Sequence, residues 1–117
     1  MDTFRSLSLA ANEVRLRASA APAGEVGIFL YGQNRTVTPL GDGTLCIAAP
    51  VFRASPALAI AGGGKATYDL DVTQPPFSQG AGSIQAGETW QLQFWYRDTA
   101  GVNGSNLSNG VQLTWCP

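Results

Sequence analysis

The chain has no histidine, and only 13 % of its 117 residues are charged, seven Lys and Arg against eight Asp and Glu. Without histidine the usual proton carrier near neutral pH is missing, and with it the Ser/His and Cys/His arrangements that activate a nucleophile. Paired carboxylates drawn from Asp69, Asp71, Glu88 and Asp98 would be the remaining route to acid–base chemistry, but no spacing converges them, so the sequence reads as non-enzymatic. A nucleic-acid binder needs a basic stripe that competes with counterions for phosphate, and these scattered cations make none. The same balance argues against an anionic membrane surface, and no apolar run reaches the roughly 18 residues that insertion requires. Lys and Glu are too sparse for long amphipathic helices. Nothing in the pattern asks for a cofactor or a metal.

What is abundant is Gly, Pro, Ala, Ser and Thr, the material of short strands and tight turns. The length fits one domain over residues 1–117. Its most ordered stretch is residues 89–98, where Trp90, Leu92, Phe94 and Tyr96 alternate with Gln91, Gln93, Trp95 and Arg97, the period of a half-buried strand. Trp95 falls on the polar side. Residues 26–31 are apolar on both parities, Val26, Ile28 and Leu30 against Phe29 and Tyr31, as in a strand covered on both faces. Val14, Leu16 and Ala18 alternate with Arg15, Arg17 and Ser19, and Ala66, Tyr68, Leu70 and Val72 with Thr67, Asp69 and Asp71. Thr44, Cys46 and Ala48 alternate with Leu45 and Ile47, and residues 35–40 and 51–53 add short pieces limited by Pro39, Pro50 and Pro56. Phe4, Leu7 and Leu9 predict a partly irregular first strand, and Asn12 a turn with a left-handed residue. Residues 74–82 and 99–110 read as loops, the second leading to a last strand, Val111, Leu113 and Trp115, paired with the central one. About eight short strands with turn signals between them predict an all-β fold, an antiparallel β-sandwich.

Cys46 and Cys116 are an even pair. In a cytosolic protein they would stay free thiols, but a low-charge, Thr/Gly/Asn-rich β chain reads as exported, where they would form one disulfide. Such a bridge would close a loop of about 70 residues and contribute about 4 kcal/mol. Residues 1–20 lack the basic start and apolar run of a signal peptide, so either a leader lies outside this sequence or the chain is not exported.

Five segments together resemble a known, uncharacterised domain family of secreted, often multi-domain bacterial proteins: Ala-Asn-Glu-Val-Arg-Leu-Arg-Ala at 11–18, Gly-Ile-Phe-Leu-Tyr-Gly at 27–32, Gly-Asp-Gly-Thr-Leu-Cys at 41–46, Gln-Phe-Trp-Tyr-Arg-Asp at 93–98 and Asn-Leu-Ser-Asn-Gly at 106–110. The resemblance implies a β-sandwich that is secreted or held at the cell surface, with Cys46 paired to Cys116, and implies no activity.

The candidate ligand-binding surface centres on Trp95. Gln91, Gln93 and Arg97 share its parity, and a neighbouring strand would add Phe29 and Tyr31 or the pair Arg15 and Arg17. Flat aromatics flanked by amides and guanidinium groups suit a sugar, whose C–H face covers the ring while its hydroxyls meet the polar groups. The alternatives are that Trp95 packs under a loop such as 74–82, or that it meets another protein or a second copy. Asp98, Asn103 and Asn106 are hard oxygen donors of the kind calcium takes, but their spacing matches no calcium loop and they are ordinary turn residues. Asn34, Asn103 and Asn106 each begin a glycosylation triplet. Two functions follow from the sequence. One is a secreted structural or adhesive module acting through protein contacts or self-assembly. The other is a carbohydrate-binding module built around Trp95.

Overall fold

A computed structural model of the chain describes residues 2–4 and 7–117, the first three through their backbone alone. The described residues form strands β1 (Asp2–Phe4), β2 (Arg15–Ala18), β3 (Val26–Gly32), β4 (Asn34–Leu40), β5 (Gly43–Ala48), β6 (Phe52–Ala59), β7 (Ala66–Asp69), β8 (Thr89–Arg97), β9 (Ser105–Leu107) and β10 (Val111–Thr114), with a short 3-10 turn at Gly80–Gly82. All pairings within the sheets are antiparallel. One sheet has the order β1-β2-β7, a larger one β10-β8-β3-β6 with β9 also on β8, and β4-β5 forms a separate ribbon. The predicted all-β fold with antiparallel sheets packed together is what the chain adopts. The strands outnumber the eight or so expected, in part because residues 105–107, read as loop, pair with Trp95–Arg97.

The alternation on β8 sets the main core. Trp90, Leu92 and Phe94 all point to one side and are buried, beside Phe29 and Tyr31 of β3 and against Leu16 and Ala18 of β2. Phe29 lies 4.6 Å from Phe94, and Tyr31 5.2 Å from Trp90, in the tilted geometries aromatic rings prefer. Residues 74–82 are irregular, as expected, yet they deliver Phe77 into this core 5.0 Å from Tyr31, whose hydroxyl donates to the Gly82 carbonyl at 2.9 Å. Full burial of each such side chain contributes about 1.5–3 kcal/mol.

The opposite face of the large sheet is also occupied. Leu30, Ile47 and Leu107 are buried there, outside the main core cluster, because the β4-β5 ribbon lies over the middle of this face. That explains the apolar excess on both parities of residues 26–31.

The expected disulfide does not form: both cysteines are free thiols, Cys46 half-buried and Cys116 exposed. The cause is position along β8. The Cys46 N–H donates to Gln93, whereas Gly87 donates to the carbonyl of Trp115, the neighbour of Cys116. Within β8, Gln93 lies four strand rises, roughly 13 Å, from Thr89, which pairs with Thr114 two residues before Cys116, while a bridge needs Cα atoms about 4.4–6.8 Å apart. Cys116 instead meets the N-terminal segment, where Leu9 N–H donates to its carbonyl at 2.8 Å and its own N–H donates to Leu7 at 3.1 Å. Leu7 and Leu9 thus leave the predicted first strand, and residues 5 and 6 of it lie outside the described residues.

Candidate binding groove

Cross-strand register decides which side chains share a face. Ile28 is opposite Trp95, Leu30 opposite Gln93 and Gly32 opposite Gln91, while Phe29 faces Phe94 and Tyr31 faces Leu92. Phe29 and Tyr31, expected beside Trp95, therefore lie on the other side, in the core. The pair Arg15 and Arg17 is on β2 in another sheet, where Arg15 donates to Asp69 at 2.6 Å and 3.1 Å. Neither pair reaches Trp95's face.

Gln91 and Gln93 do share that face, but the ribbon and the chain leading into β10 cover them. Gln93 is only 1 % exposed. Its Oε1 accepts from Cys46 N–H at 2.9 Å, and its Nε2 donates to the carbonyls of Thr44 at 2.8 Å and Ser108 at 2.7 Å. Gln91 donates to Gln112 at 3.3 Å. These amides hold three segments together rather than offering themselves to a ligand.

Segment 105–114 explains part of this cover. β9 and β10 lie along the same edge of β8, β9 against residues 95–97 and β10 against 89–92. Between them Ser108 bonds Phe94 twice, its N–H donating to the Phe94 carbonyl and its hydroxyl accepting from the Phe94 N–H, both at 2.9 Å. The hairpin predicted between the central and last strands is present, with an interrupted second arm.

Trp95 lies where the ribbon's cover ends. It lines an open groove of about 430 Å³ together with Val26 and Ile28 of β3, Ala57 of β6, Arg97 of β8, and residues 103–105. Ala57 reaches the rim because the β3-β6 register shifts between Gly27 and Phe29. Gly27 belongs to the floor, and a Cβ there would strike the Phe94 ring and the Trp95 carbonyl. The indole is half-buried. Its Nε1 is sealed from solvent and has no hydrogen-bond partner among the described residues. The loop that partly covers Trp95 is 99–110, not 74–82.

That loop is fixed from the ribbon tip. Asp42 accepts from the Asn103 N–H at 3.1 Å and 3.2 Å and from its Nδ2 at 3.2 Å, and Nδ2 also donates to the Gly41 carbonyl at 3.1 Å. Gly41 has φ +59, and a Cβ there would collide with Ser105, so the close approach requires glycine. Asn106 uses its Oδ1 on the Leu107 N–H at 2.8 Å. The Asn103 Nδ2 and the Asn106 Oδ1 are thus engaged within the protein, and among the described residues no three His, Cys, Asp or Glu side chains gather. No family model, no curated protein and no solved structure matches the chain. The function thus rests on the groove itself.

Of the residues named from sequence, the groove brings together Trp95, Arg97 and Asn103. It adds Val26, Ile28, Ala57 and Ser105, which the sequence does not mark. Only Val26 and Ile28 carry a signal, the second apolar parity of their strand.

Proposed function

We propose that this domain is a non-enzymatic binding module whose groove at Trp95 takes a carbohydrate chain. The observation that carries the reading is an aromatic side chain left half-open on the floor of a groove, with a guanidinium, an amide and a hydroxyl around it (Arg97, Asn103 and Ser105). Its volume falls within the roughly 300–1,000 Å³ of small-ligand sites. Stacking on the indole would hold a sugar's apolar face, and the polar rim would meet its hydroxyls. The lining contains no carboxylate and no thiol, which supports binding without turnover.

An adhesive role fits this reading, with the adhesion directed at a glycan. Pairing of sheet edges between copies is less favoured by the strands themselves. β4 and β6 are irregular, with register shifts against their partners, and hold Pro39 and Pro56, features by which edge strands avoid further pairing. The same reading places the domain outside the cell, where polysaccharide would be met.

Titration with a panel of soluble polysaccharides, followed by tryptophan fluorescence, tests the proposal. Trp90 and Trp115 are buried, so a saturable change reports on Trp95. We expect Trp95→Ala to abolish the response while leaving the far-ultraviolet circular dichroism unchanged. Silence across neutral and acidic glycans alike would overturn the reading.

A further inference from the structure

We propose that the groove selects an acidic saccharide, its carboxylate paired with Arg97 while the sugar ring lies on Trp95. This rests on the carbohydrate reading and narrows it to a ligand class.

Arg97 is the one charged side chain in the groove lining, and its residue is exposed. No ion pair engages it among the described residues, where Arg15–Asp69 is the bridge present, far off on another sheet. Three acids lie nearby in sequence or space, and none forms an ion pair with it among the described residues. Asp42 is bonded to Asn103. Glu25 accepts from the Thr99 hydroxyl at 3.3 Å. Asp98 lies near Tyr96, whose phenol is held above its ordinary range first by burial and then by that carboxylate's charge. The same sheet face carries a second exposed guanidinium, Arg53, opposite Leu30 and without a bonded partner among the described residues.

A guanidinium has five donors and no acceptor. Hydroxyl groups meet it one bond at a time, whereas a carboxylate meets it with two parallel, charge-assisted bonds. The acceptors a saccharide's own hydroxyls need are supplied separately. Both Asn103 Nδ2 hydrogens are consumed by Gly41 and Asp42, which leaves its Oδ1 as the end able to accept. The Ser105 hydroxyl can serve in either sense. A cation beside an aromatic floor, with acceptors on the adjoining β9 strand and the loop before it, is complementary to a pyranose bearing a carboxylate.

The test compares polygalacturonate with the same polymer methyl-esterified, so that charge is removed and the sugar backbone kept, using wild type, Arg97→Gln and Arg97→Lys. We expect wild type to bind polygalacturonate at least about tenfold more tightly than the ester. Arg97→Gln should erase that difference and Arg97→Lys restore part of it, and binding should weaken as salt rises from about 0.05 to 0.5 M. Equal wild-type affinity for acid and ester, still lost in Trp95→Ala, would overturn the acidic preference and leave a neutral-sugar module. Loss of both polymers in every protein would overturn this inference. Silence extending to the wider glycan panel would remove the carbohydrate reading too. The ester comparison uses only wild-type protein, so it stands even if a variant is unstable.

Discussion

A glutamine 1 % exposed is tolerable only when both ends of its amide are used, and Gln93 uses them on two carbonyls and one N–H from separate segments. Parity placed it correctly on Trp95's face but could not say what lies above it. A polar residue bonded to a covering ribbon and one bathed in water look the same in an alternating pattern. Replacement by an apolar residue of similar size therefore tests the role. Gln93→Leu leaves the Cys46 N–H and the Thr44 and Ser108 carbonyls without their partner, and should cost about 2–4 kcal/mol in urea denaturation. An unchanged midpoint would show that the ribbon does not depend on these bonds. The cysteines make a second residue-scale prediction. A thiol reagent should label two groups per chain under native conditions, Cys116 fast and half-buried Cys46 slowly, and reductant should not move the melting temperature. Labelling of neither thiol until reductant is added would restore the disulfide.

Elements were legible where one face is apolar and the other is not. β8, β3, β2 and β10 follow their alternation, and the double parity of residues 26–31 foretold a second covered face. The groove was half-legible: Trp95 and Arg97 stand out, but which parity of β3 accompanies them is a matter of register, which one strand's pattern does not contain. β9 was hidden because Ser105, Asn106 and Leu107 have turn-forming composition and are a strand only through β8's free edge. The turn at Asn12 was readable and has a consequence. Asn12 adopts φ +50, donates to Asp71 at 2.8 Å and accepts from the Val72 N–H at 2.9 Å, joining the entry to β2 with the segment after β7. Asp71 is held below the ordinary carboxylate range, first by the Thr73 hydroxyl, then by Asn12 and the Thr73 N–H. A depressed folded-state value means the contribution is present above the unfolded value, near 3.8, and is lost as the pH falls through the lower folded one. Urea midpoints should therefore drop below about pH 4, and Asp71→Asn should flatten that drop; an identical acid profile in the variant would refute the linkage.

At the scale of the whole molecule, one large sheet carries a layer on each side, and the two layers differ in kind. The β1-β2-β7 side is closed by aromatics, whereas the ribbon side is held by amide bonds and stops short at Trp95, which is why the groove opens there. The aromatic side has its own pH signature. Burial raises the phenols of Tyr31, Tyr68 and Tyr96, Tyr31 most of all, with smaller contributions from the charge of Tyr68, Asp71 and Asp98 respectively. A raised folded-state value works in the opposite sense to Asp71. Its stability is fully present below the unfolded value near 10 and is lost as the pH climbs through the folded one. Between pH 8 and pH 11 the urea midpoint should therefore fall, because the unfolded chain releases protons that the folded core retains. Phenolate absorbance recorded in the same titration separates the groups. Part of the tyrosine signal should rise only as the protein unfolds, and Tyr31→Phe should remove most of that delayed part. It should also cost stability at neutral pH, since the Gly82 carbonyl loses its donor. If all the phenols of the native protein titrate together near their free value, the aromatic layer is wetter than its packing implies.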